Sequence, residues 1–312
     1  MGGELFHILG LPVTGYALAL AASVLLVFLA ARLGARKAGV TAAQVDVFFI
    51  FALPLCLILA RLVFVLVRLP FFLDRADRLA LRAWQGGYTI WGAFIGFFLA
   101  AYLASRVSGA SLPWLLDHLA GLGLLLVALT RFAEGLSGQG YGGEAALRFF
   151  PFAVENEWGE WRWAVFMLEG AAALLFFFLV NRHKGRPGSK AVLALTLYCA
   201  FQMLFESLRE DEYLVWGFVR VTQLFCALTL AGLTARGLFG GERKNGWQPP
   251  RHLAVSGFML CILLIIMLEF ALDKTVISSF ALYGAMLLAC VFLFRIAYVA
   301  LVREAARPPQ KE

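Results

Sequence analysis

Several ionisable residues of this sequence lie inside segments that are otherwise apolar. Within or at the ends of the long apolar runs are Arg61, Asp117, Arg131, Glu134, Glu169, Glu206, Arg209 and Arg220, and Glu269 and Arg295 have similar positions near the C-terminus. Charged side chains are costly in such surroundings, so they mark a functional site or are paired with one another. Glu206 and Arg209 are three residues apart, a spacing at which two side chains of one helix can pair.

Arginine is the residue type that gives this set a specific chemistry. Its planar guanidinium donates paired hydrogen bonds to phosphate oxygens and stays charged when water is removed. Several arginines around one cavity would therefore bind an anionic phosphate group, such as the headgroup of a phospholipid. The alternative for each residue is a structural ion pair, or a side chain that extends from a helix end to water.

The segments that carry these residues are predicted to be membrane-spanning helices. The sequence is 62% hydrophobic and 15% charged, whereas soluble domains have about 45–50% and about 25%. A helix needs about 20 apolar residues to cross the hydrocarbon core. We predict an all-α, polytopic transmembrane bundle of about nine helices. They run near residues 11–33, 47–67, 89–105, 114–130, 163–181, 191–207, 217–235, 252–272 and 276–302.

The spans divide into a larger body and a terminal pair. Residues 1–235 contain seven of the predicted helices. Residues 236–251 are rich in glycine and basic residues and include two consecutive prolines, so we interpret them as a cytoplasmic linker. Residues 252–312 then form a C-terminal pair of transmembrane helices.

Basic and acidic loops alternate along the chain. Lysine and arginine follow the first, fifth and seventh helices, as at Lys37, Lys184 and Arg243, whereas Glu144 is among the acidic residues of the alternate loops. The positive-inside rule then predicts an outside N-terminus and a cytoplasmic C-terminus. Three arginines of an outside loop oppose this pattern: Arg75, Arg78 and Arg82. We interpret the segment around them, 69–84, as an amphipathic element on the outer leaflet.

Other classes of function are not favoured. The net charge of +7 does not indicate nucleic acid, because the basic residues lie in short loops and not on one soluble face. The five cysteines lie in apolar runs, and His118 and His183 have no second ligand at metal-binding spacing, so we expect no metal or cofactor. The sequence has no GxSxG turn of a serine hydrolase. It also has no internal repeat, which disfavours a secondary transporter.

Two segments resemble motifs of the bacterial prolipoprotein diacylglyceryl transferases. They are Trp84-Gln85-Gly86-Gly87-Tyr88-Thr89-Ile90-Trp91-Gly92-Ala93-Phe94-Ile95-Gly96 and the glycine-rich Arg131-Phe132-Ala133-Glu134-Gly135-Leu136-Ser137-Gly138-Gln139-Gly140-Tyr141-Gly142. Further matches are Arg61, Asp117, Phe205-Glu206-Ser207-Leu208-Arg209-Glu210-Asp211 and Gln223-Leu224. Their order and spacing hold over roughly residues 10–235, so the last two helices fall outside the resemblance.

The resemblance implies a function and a set of site residues. Members of the family move a diacylglyceryl group from phosphatidylglycerol to the lipobox cysteine of a secreted prolipoprotein, in the plasma (inner) membrane of bacteria. By this resemblance Arg131 and Arg209 match essential arginines that hold the phosphate, with Glu134 as the third catalytic candidate. The expected substrate-binding residues are Tyr16, Arg61, Gly138, Gln139 and Glu206. The expected partners are phosphatidylglycerol or another anionic phospholipid and a lipobox segment.

The sequence also departs from the family pattern. Trp91 stands where the family has a histidine, Glu134 replaces an asparagine, and Gln139 replaces a glutamate. The family's Arg-His-Pro run reads Arg162-Trp163-Ala164. Three functions are consistent with these changes: a diacylglyceryl transferase in which Glu134 replaces the lost base, a related transferase with another acceptor, and a phospholipid-binding protein without catalysis. The enzyme hypothesis predicts that Arg131, Glu134 and Arg209 converge on one cavity reached from the outer leaflet.

Overall fold

The protein is a bundle of long helices. The computed structural model describes residues 4–8, 11–74, 86–210, 214–216, 219–239 and 250–305. In these ranges nine helices are long and apolar enough to cross a membrane, which confirms the predicted polytopic bundle. They are α1 (Gly15–Gly34), α2 (Ala42–Val67), α3 (Ile90–Ser108), α4 (Leu112–Glu134), α5 (Val165–Arg182), α6 (Ser189–Leu208), α7 (Val221–Phe239), α8 (Arg251–Lys274) and α9 (Ser279–Ala305).

The first helix begins later than predicted because a hairpin precedes it. Strands β1 (Glu4–Ile8) and β2 (Leu11–Thr14) pair antiparallel. The hydroxyl of Thr14 accepts a hydrogen bond from the amide of Ala17 at 3.2 Å, which satisfies one of the free amides of the first turn. Residues 11–14 (Leu-Pro-Val-Thr), predicted as the start of the first helix, are therefore strand.

Boundaries near the other polar segments also differ from the prediction. Helix α4 continues four residues past 130 to Glu134, because its polar end is still helical. Helix α7 begins at Val221 and not near 217, after the short paired strands β5 (Val215–Trp216) and β6 (Val219–Arg220). A third hairpin, β3 (Ala153–Glu155) with β4 (Trp161–Trp163), precedes α5.

Helices α2 and α3 approach each other at two glycines. A Cβ atom at Gly92 would lie 2.1 Å from the carbonyl oxygen of Leu59, and one at Gly96 would lie 2.7 Å from the backbone of Cys56. These contacts leave no space for any side chain. Gly92 and Gly96 of the tryptophan–glycine motif thus serve close helix packing, as small residues commonly do between helices in lipid.

The C-terminal pair α8–α9 packs against the rest of the bundle. One continuous apolar core includes Tyr198 and Met203 of α6, Leu230 of α7, Ile265 of α8 and Met286 of α9. A Cβ at Gly237, in α7, would lie 2.6 Å from the carbonyl oxygen of Ala300 in α9. Helix α9 therefore touches both α6 and α7.

Some predicted features lie outside the described residues. They are Trp84 and Gln85 at the start of the tryptophan–glycine motif, Arg75, Arg78 and Arg82, residue Asp211, most of the expected linker (240–249), which includes Arg243, and the tail 306–312. Of the segment interpreted as an amphipathic element, residues 69–73 form a short helix, Leu69–Leu73, directly after α2.

Candidate functional site

Four charged side chains from three places in the chain meet inside the bundle. Arg131 is 2.7 Å from Glu134 and 2.6 Å from Glu169 between nitrogen and oxygen atoms. Arg209 is 2.6 Å from Glu134 and 3.4 Å from Glu169. Each arginine therefore contacts both carboxylates, and we call these four residues the arginine–glutamate network.

The last turn of α4 supplies two members of the network. Arg131 and Glu134 are three residues apart, so they lie on the same side of the helix. Glu169 comes from α5, which lies against α4 at Gly170, where a Cβ would be 2.5 Å from the ring of Phe132. This close approach allows a carboxylate near the start of α5 to reach the guanidinium of Arg131.

Arg209 reaches the network from outside a helix. Helix α6 ends at Leu208, and Arg209 follows with an extended backbone, φ −81° and ψ 136°. Arg209 forms a β-bridge with Gly142, and the next amide, of Glu210, donates to the carbonyl of Tyr141 at 2.9 Å. Because the helix has ended before Arg209, the three-residue spacing does not place Arg209 on the helix face of Glu206, and its ion pairs are with Glu134 and Glu169.

The glycine-rich turn connects the two arginines. After Glu134 the chain makes a short 3-10 helix (Gly135–Ser137) and then turns at Gly138 and Gly140, which have positive φ values of 70° and 81°. A Cβ at Gly140 would lie 2.7 Å from Phe166 and 3.3 Å from a carboxylate oxygen of Glu134. The turn thus needs glycine both for its backbone conformation and for its approach to the network.

Burial makes the charge balance of the network important. The exposed fractions of the side chains are 15% for Arg131, 10% for Glu134, 2% for Glu169 and 11% for Arg209. Two guanidinium groups and two carboxylates sum to zero formal charge. A buried charge that loses its partner costs several kcal/mol, so an anion entering this network would replace a carboxylate and not simply add to it.

Two of the predicted binding residues lie near the network. Tyr16, at the start of α1, interacts electrostatically with Glu134, Arg131 and Arg209. Glu206 is buried, with 6% of its surface exposed, and interacts with Arg209, Glu169 and Arg131. Tyr16 and Glu206 therefore both lie within electrostatic range of the network.

Three other predicted binding residues have different environments. Gly138 and Gln139 are exposed on the glycine-rich turn. Arg61, in α2, donates to the carbonyl oxygens of Gly86 and Gly87 at 2.6 and 3.1 Å and lies over aromatic rings such as that of Phe72. Arg61 thus holds the segment that leads into α3, in a cluster separate from the network.

Trp91 occupies an aromatic pocket next to the network. It is 5% exposed, stacks on Phe225 with ring centroids 5.4 Å apart, and lies 6.4 Å from the ring of Tyr198. Tyr198 in turn interacts electrostatically with Arg131 and Glu169. An indole ring accepts no proton, so Trp91 cannot serve as a general base at this position.

The segment after the glycine-rich turn is fixed to the same end of the bundle. Arg162, in β4, pairs with Glu160 at 3.0 Å and with Glu210 at 3.2 Å. Hydrogen bonds from Asn156 and Arg162 lower the pKa of Glu160 below its usual value. Arg162 therefore connects the β3–β4 hairpin to the residue that follows Arg209.

Sequence reasoning did not assign Glu169 to the site. It identified Glu169 only as a charge inside a span, yet this carboxylate contacts both arginines. The available signal was charge balance, because two buried arginines with one carboxylate would leave a net positive charge in an apolar surrounding. Arg220, which was grouped with the other arginines, instead donates to the carbonyl oxygens of Glu206 and Arg209.

Asp117 has a structural role at the other end of the bundle. Its two carboxylate oxygens accept hydrogen bonds from the amides of Gly188 and Ala191 at 2.8 and 3.0 Å. These amides belong to the start of α6, so Asp117 caps a neighbouring helix. This end carries the loops α3–α4 and α5–α6, opposite to the network.

Comparison with known sequences assigns the chain to a family. The sequence profile described as prolipoprotein diacylglyceryl transferase matches residues 4–236. A phosphatidylglycerol–prolipoprotein diacylglyceryl transferase of Pediococcus pentosaceus is 24% identical, with 77% of this chain and 90% of that protein covered. Those of Listeria welshimeri and Staphylococcus aureus are each 27% identical, covering 70% and 72% of this chain and 83% and 84% of the relatives. Because the profile matches most of the chain, the protein belongs to the prolipoprotein diacylglyceryl transferase family.

Proposed function

We propose that this membrane protein transfers a diacylglyceryl group from phosphatidylglycerol to the cysteine thiol of a prolipoprotein, at the arginine–glutamate network. The observation that carries the proposal is the convergence of Arg131 and Arg209 on the same two carboxylates. Two guanidinium groups that share two carboxylates are close enough to share one phosphate, which presents oxygen acceptors of similar spacing. The names of the relatives supply the substrate class.

Phosphate binding proceeds by exchange of anions. The donors of Arg131 and Arg209 that now face Glu134 turn to the phosphate oxygens, and the carboxylate of Glu134 is released. A carboxylate that has lost two arginine partners accepts a proton more readily. Binding of the phosphate thus converts the carboxylate of Glu134 into a general base next to the reacting groups.

The reaction exchanges one bond to a glyceryl carbon for another. The thiol sulfur attacks the carbon that bears the phosphate, the S–C bond forms, and the C–O bond to the phosphate breaks. The thiol proton passes to the released carboxylate, and glycerol phosphate leaves with the electron pair of the broken bond. Arg131 and Arg209 stabilise the negative charge that develops on the departing oxygen.

Glu134 is the better candidate for the base. It is adjacent to the glycine-rich turn, where Gly138 and Gln139 are exposed and an acceptor peptide can approach. Glu169 is more deeply placed, with 2% of its side chain exposed, and suits the role of a permanent counter-ion. Trp91 replaces the family's histidine, so a carboxylate base accounts for activity without that ring.

The same proposal includes an orientation in the bacterial plasma membrane. The network lies where α4 and α6 end and α5 begins, whereas Lys37, Lys184 and Arg186 lie at the opposite end. The positive-inside rule supports an outer network with a cytoplasmic C-terminus. Phe150 and Trp158, 64% and 84% exposed, belong to the segment between α4 and α5 and suit the membrane interface.

The test is a transfer assay with purified protein. Phosphatidylglycerol and a lipobox peptide are incubated with the enzyme, and the diacylglyceryl thioether is measured by mass spectrometry. We expect product with the wild type and with the exposed-residue controls Arg106→Ala and Glu155→Gln, and loss of product with Arg131→Ala and Glu134→Gln.

Other outcomes identify the alternatives. Absence of thioether from the wild type would contradict the proposal. If phosphatidylglycerol still bound in a saturable manner that needed Arg131, the protein would be a transferase with another acceptor or a lipid-binding relative.

A further inference from the structure

The C-terminal pair α8–α9 contributes a charged residue that points at the end of α6. Glu269 of α8 pairs with Arg220 at 3.0 Å, and its side chain is only 25% exposed. Its second oxygen accepts hydrogen bonds from the hydroxyl of Ser207 and, at 3.4 Å, from the amide of Gln223. One carboxylate thus binds α6, α7 and the strand before α7. It lies beyond residues 4–236, which match the family.

Arg220 also donates hydrogen bonds to the backbone at and before Arg209. One terminal nitrogen donates to the carbonyl oxygen of Glu206 and, at 3.1 Å, to that of Arg209. The last carbonyls of a helix have no partner within the helix, so these bonds hold the backbone where it leaves α6. Arg209 lies at this point, and its guanidinium is one half of the phosphate clamp proposed above.

The backbone around Arg209 is therefore held from two sides. Gly142 and Tyr141 of the glycine-rich turn pair with Arg209 and Glu210 on one side. Arg220 holds it on the other side, and Glu269 fixes Arg220. Tyr283 of α9 adds a hydrogen bond of 3.4 Å to the carbonyl of Ser207.

We propose that the C-terminal helical pair is a positioning element of the transferase site, in which Glu269 holds Arg220 and Arg220 holds the backbone of Arg209. The inference rests on the proposed function, because it assigns Arg209 to the phosphate. Glu269 and Arg220 touch no substrate in this scheme. They set the distance between the guanidinium groups of Arg209 and Arg131, and a displacement of about 1 Å in such a group can cost about 100-fold in rate.

The experiment combines kinetics with hydrogen exchange. Glu269→Gln, Arg220→Gln and the double variant are compared with Arg295→Gln, a control at an exposed position of α9. We expect kcat to fall by at least about tenfold in both single variants, with KM changed less than about threefold. The double variant should be no slower than the slower single variant, since both changes break one chain of contacts.

A second readout does not depend on activity. Amide exchange of the peptide that covers the end of α6 and Glu210 should become faster in Glu269→Gln and unchanged in Arg295→Gln. Arg220→Lys gives a further check, because lysine can pair with Glu269 but lacks the fork that reaches two carbonyls. It should also lower kcat.

The results separate the inference from the proposed function. If the wild type forms no thioether, the proposed function fails, and exchange at the end of α6 still decides whether Glu269 holds that backbone. If the wild type is active and Glu269→Gln matches it in both kcat and exchange, the positioning role is wrong. The positioning role would also be wrong if the loss of kcat in the double variant equalled the product of the losses in the two single variants.

Discussion

Glu169→Gln tests the charge balance of the arginine–glutamate network. Glu169 is the most deeply buried member, at 2% exposure, and contacts Arg131 at 2.6 Å and Arg209 at 3.4 Å. Glutamine keeps its shape and one acceptor but removes the charge, so the network changes from neutral to +1. Removing one partner of a buried ion pair costs about 3–5 kcal/mol. Because Glu134 still pairs with both arginines, we expect a loss of about 3 kcal/mol in the free energy of unfolding.

The same variant should bind the anionic lipid more tightly. Two unit charges about 4 Å apart interact by about 4 kcal/mol at an effective dielectric constant of 20. If about one third of this reaches the phosphate, the gain is about 1.4 kcal/mol, or about tenfold in Kd. Stability and lipid affinity therefore change in opposite directions.

Thermal unfolding in detergent, with increasing phosphatidylglycerol, measures both effects. Without the lipid the variant should unfold at a lower temperature than the wild type. Added phosphatidylglycerol should raise its unfolding temperature by more than it raises that of the wild type, and the control Glu155→Gln should behave as the wild type does. A variant with unchanged stability, or with weaker lipid binding, would refute the interpretation of the network as a charge-balanced anion site.

Further predictions concern the clamp, the aromatic pocket, the glycine-rich turn and the orientation. Arg209→Lys keeps the charge but loses the planar fork, so thioether formation measured by mass spectrometry should fall by about 100-fold or more; wild-type rates would contradict the clamp. Trp91→His loses the stacking of the indole on Phe225, which should lower the free energy of unfolding by about 1–2 kcal/mol. The transfer rate should not rise. Faster transfer would show that the missing imidazole at position 91, and not Glu134, limits catalysis. Gly142→Ala places a Cβ 2.7 Å from the carbonyl oxygen of Leu208. The fraction of the transfer rate that is lost should therefore exceed the fraction of folded protein that is lost in thermal unfolding. Equal fractions would argue against a specific role of Gly142 in transfer. A reporter fused to the C-terminus should be protected from external protease in intact cells, and cleavage would reverse the proposed orientation.

The number of helices could be predicted because the requirement is local. Crossing the hydrocarbon core takes about 20 apolar residues, and each of the nine predicted spans contains a long helix within the residues that the structure describes. The boundaries that were missed lie where composition does not decide the backbone. Residues 11–13 are apolar but pair with β1, and Arg209 is close enough to α6 to continue it but pairs with Gly142 instead.

Part of the site could also be identified from the sequence. Arg131, Glu134 and Arg209 followed from charges inside apolar segments and from the family motifs, and the structure brings them together. Arg61 carried the same signal but holds the segment that leads into α3. The sequence alone does not show which way such a side chain points. The presence of arginine thus indicated phosphate binding, but it did not decide which arginines lie at the same site.

The sequence by itself determined a bundle of spans with buried arginines suited to phosphate. Only the tertiary structure decided that Glu169 completes the neutral network and that Glu269, from the C-terminal pair, holds Arg220 at the end of α6. Each of these contacts joins residues far apart in the chain. The packing of α4 on α5, of α9 on α6 and of α8 on α9 creates them, because a buried charge is stable only where the fold brings a partner to it.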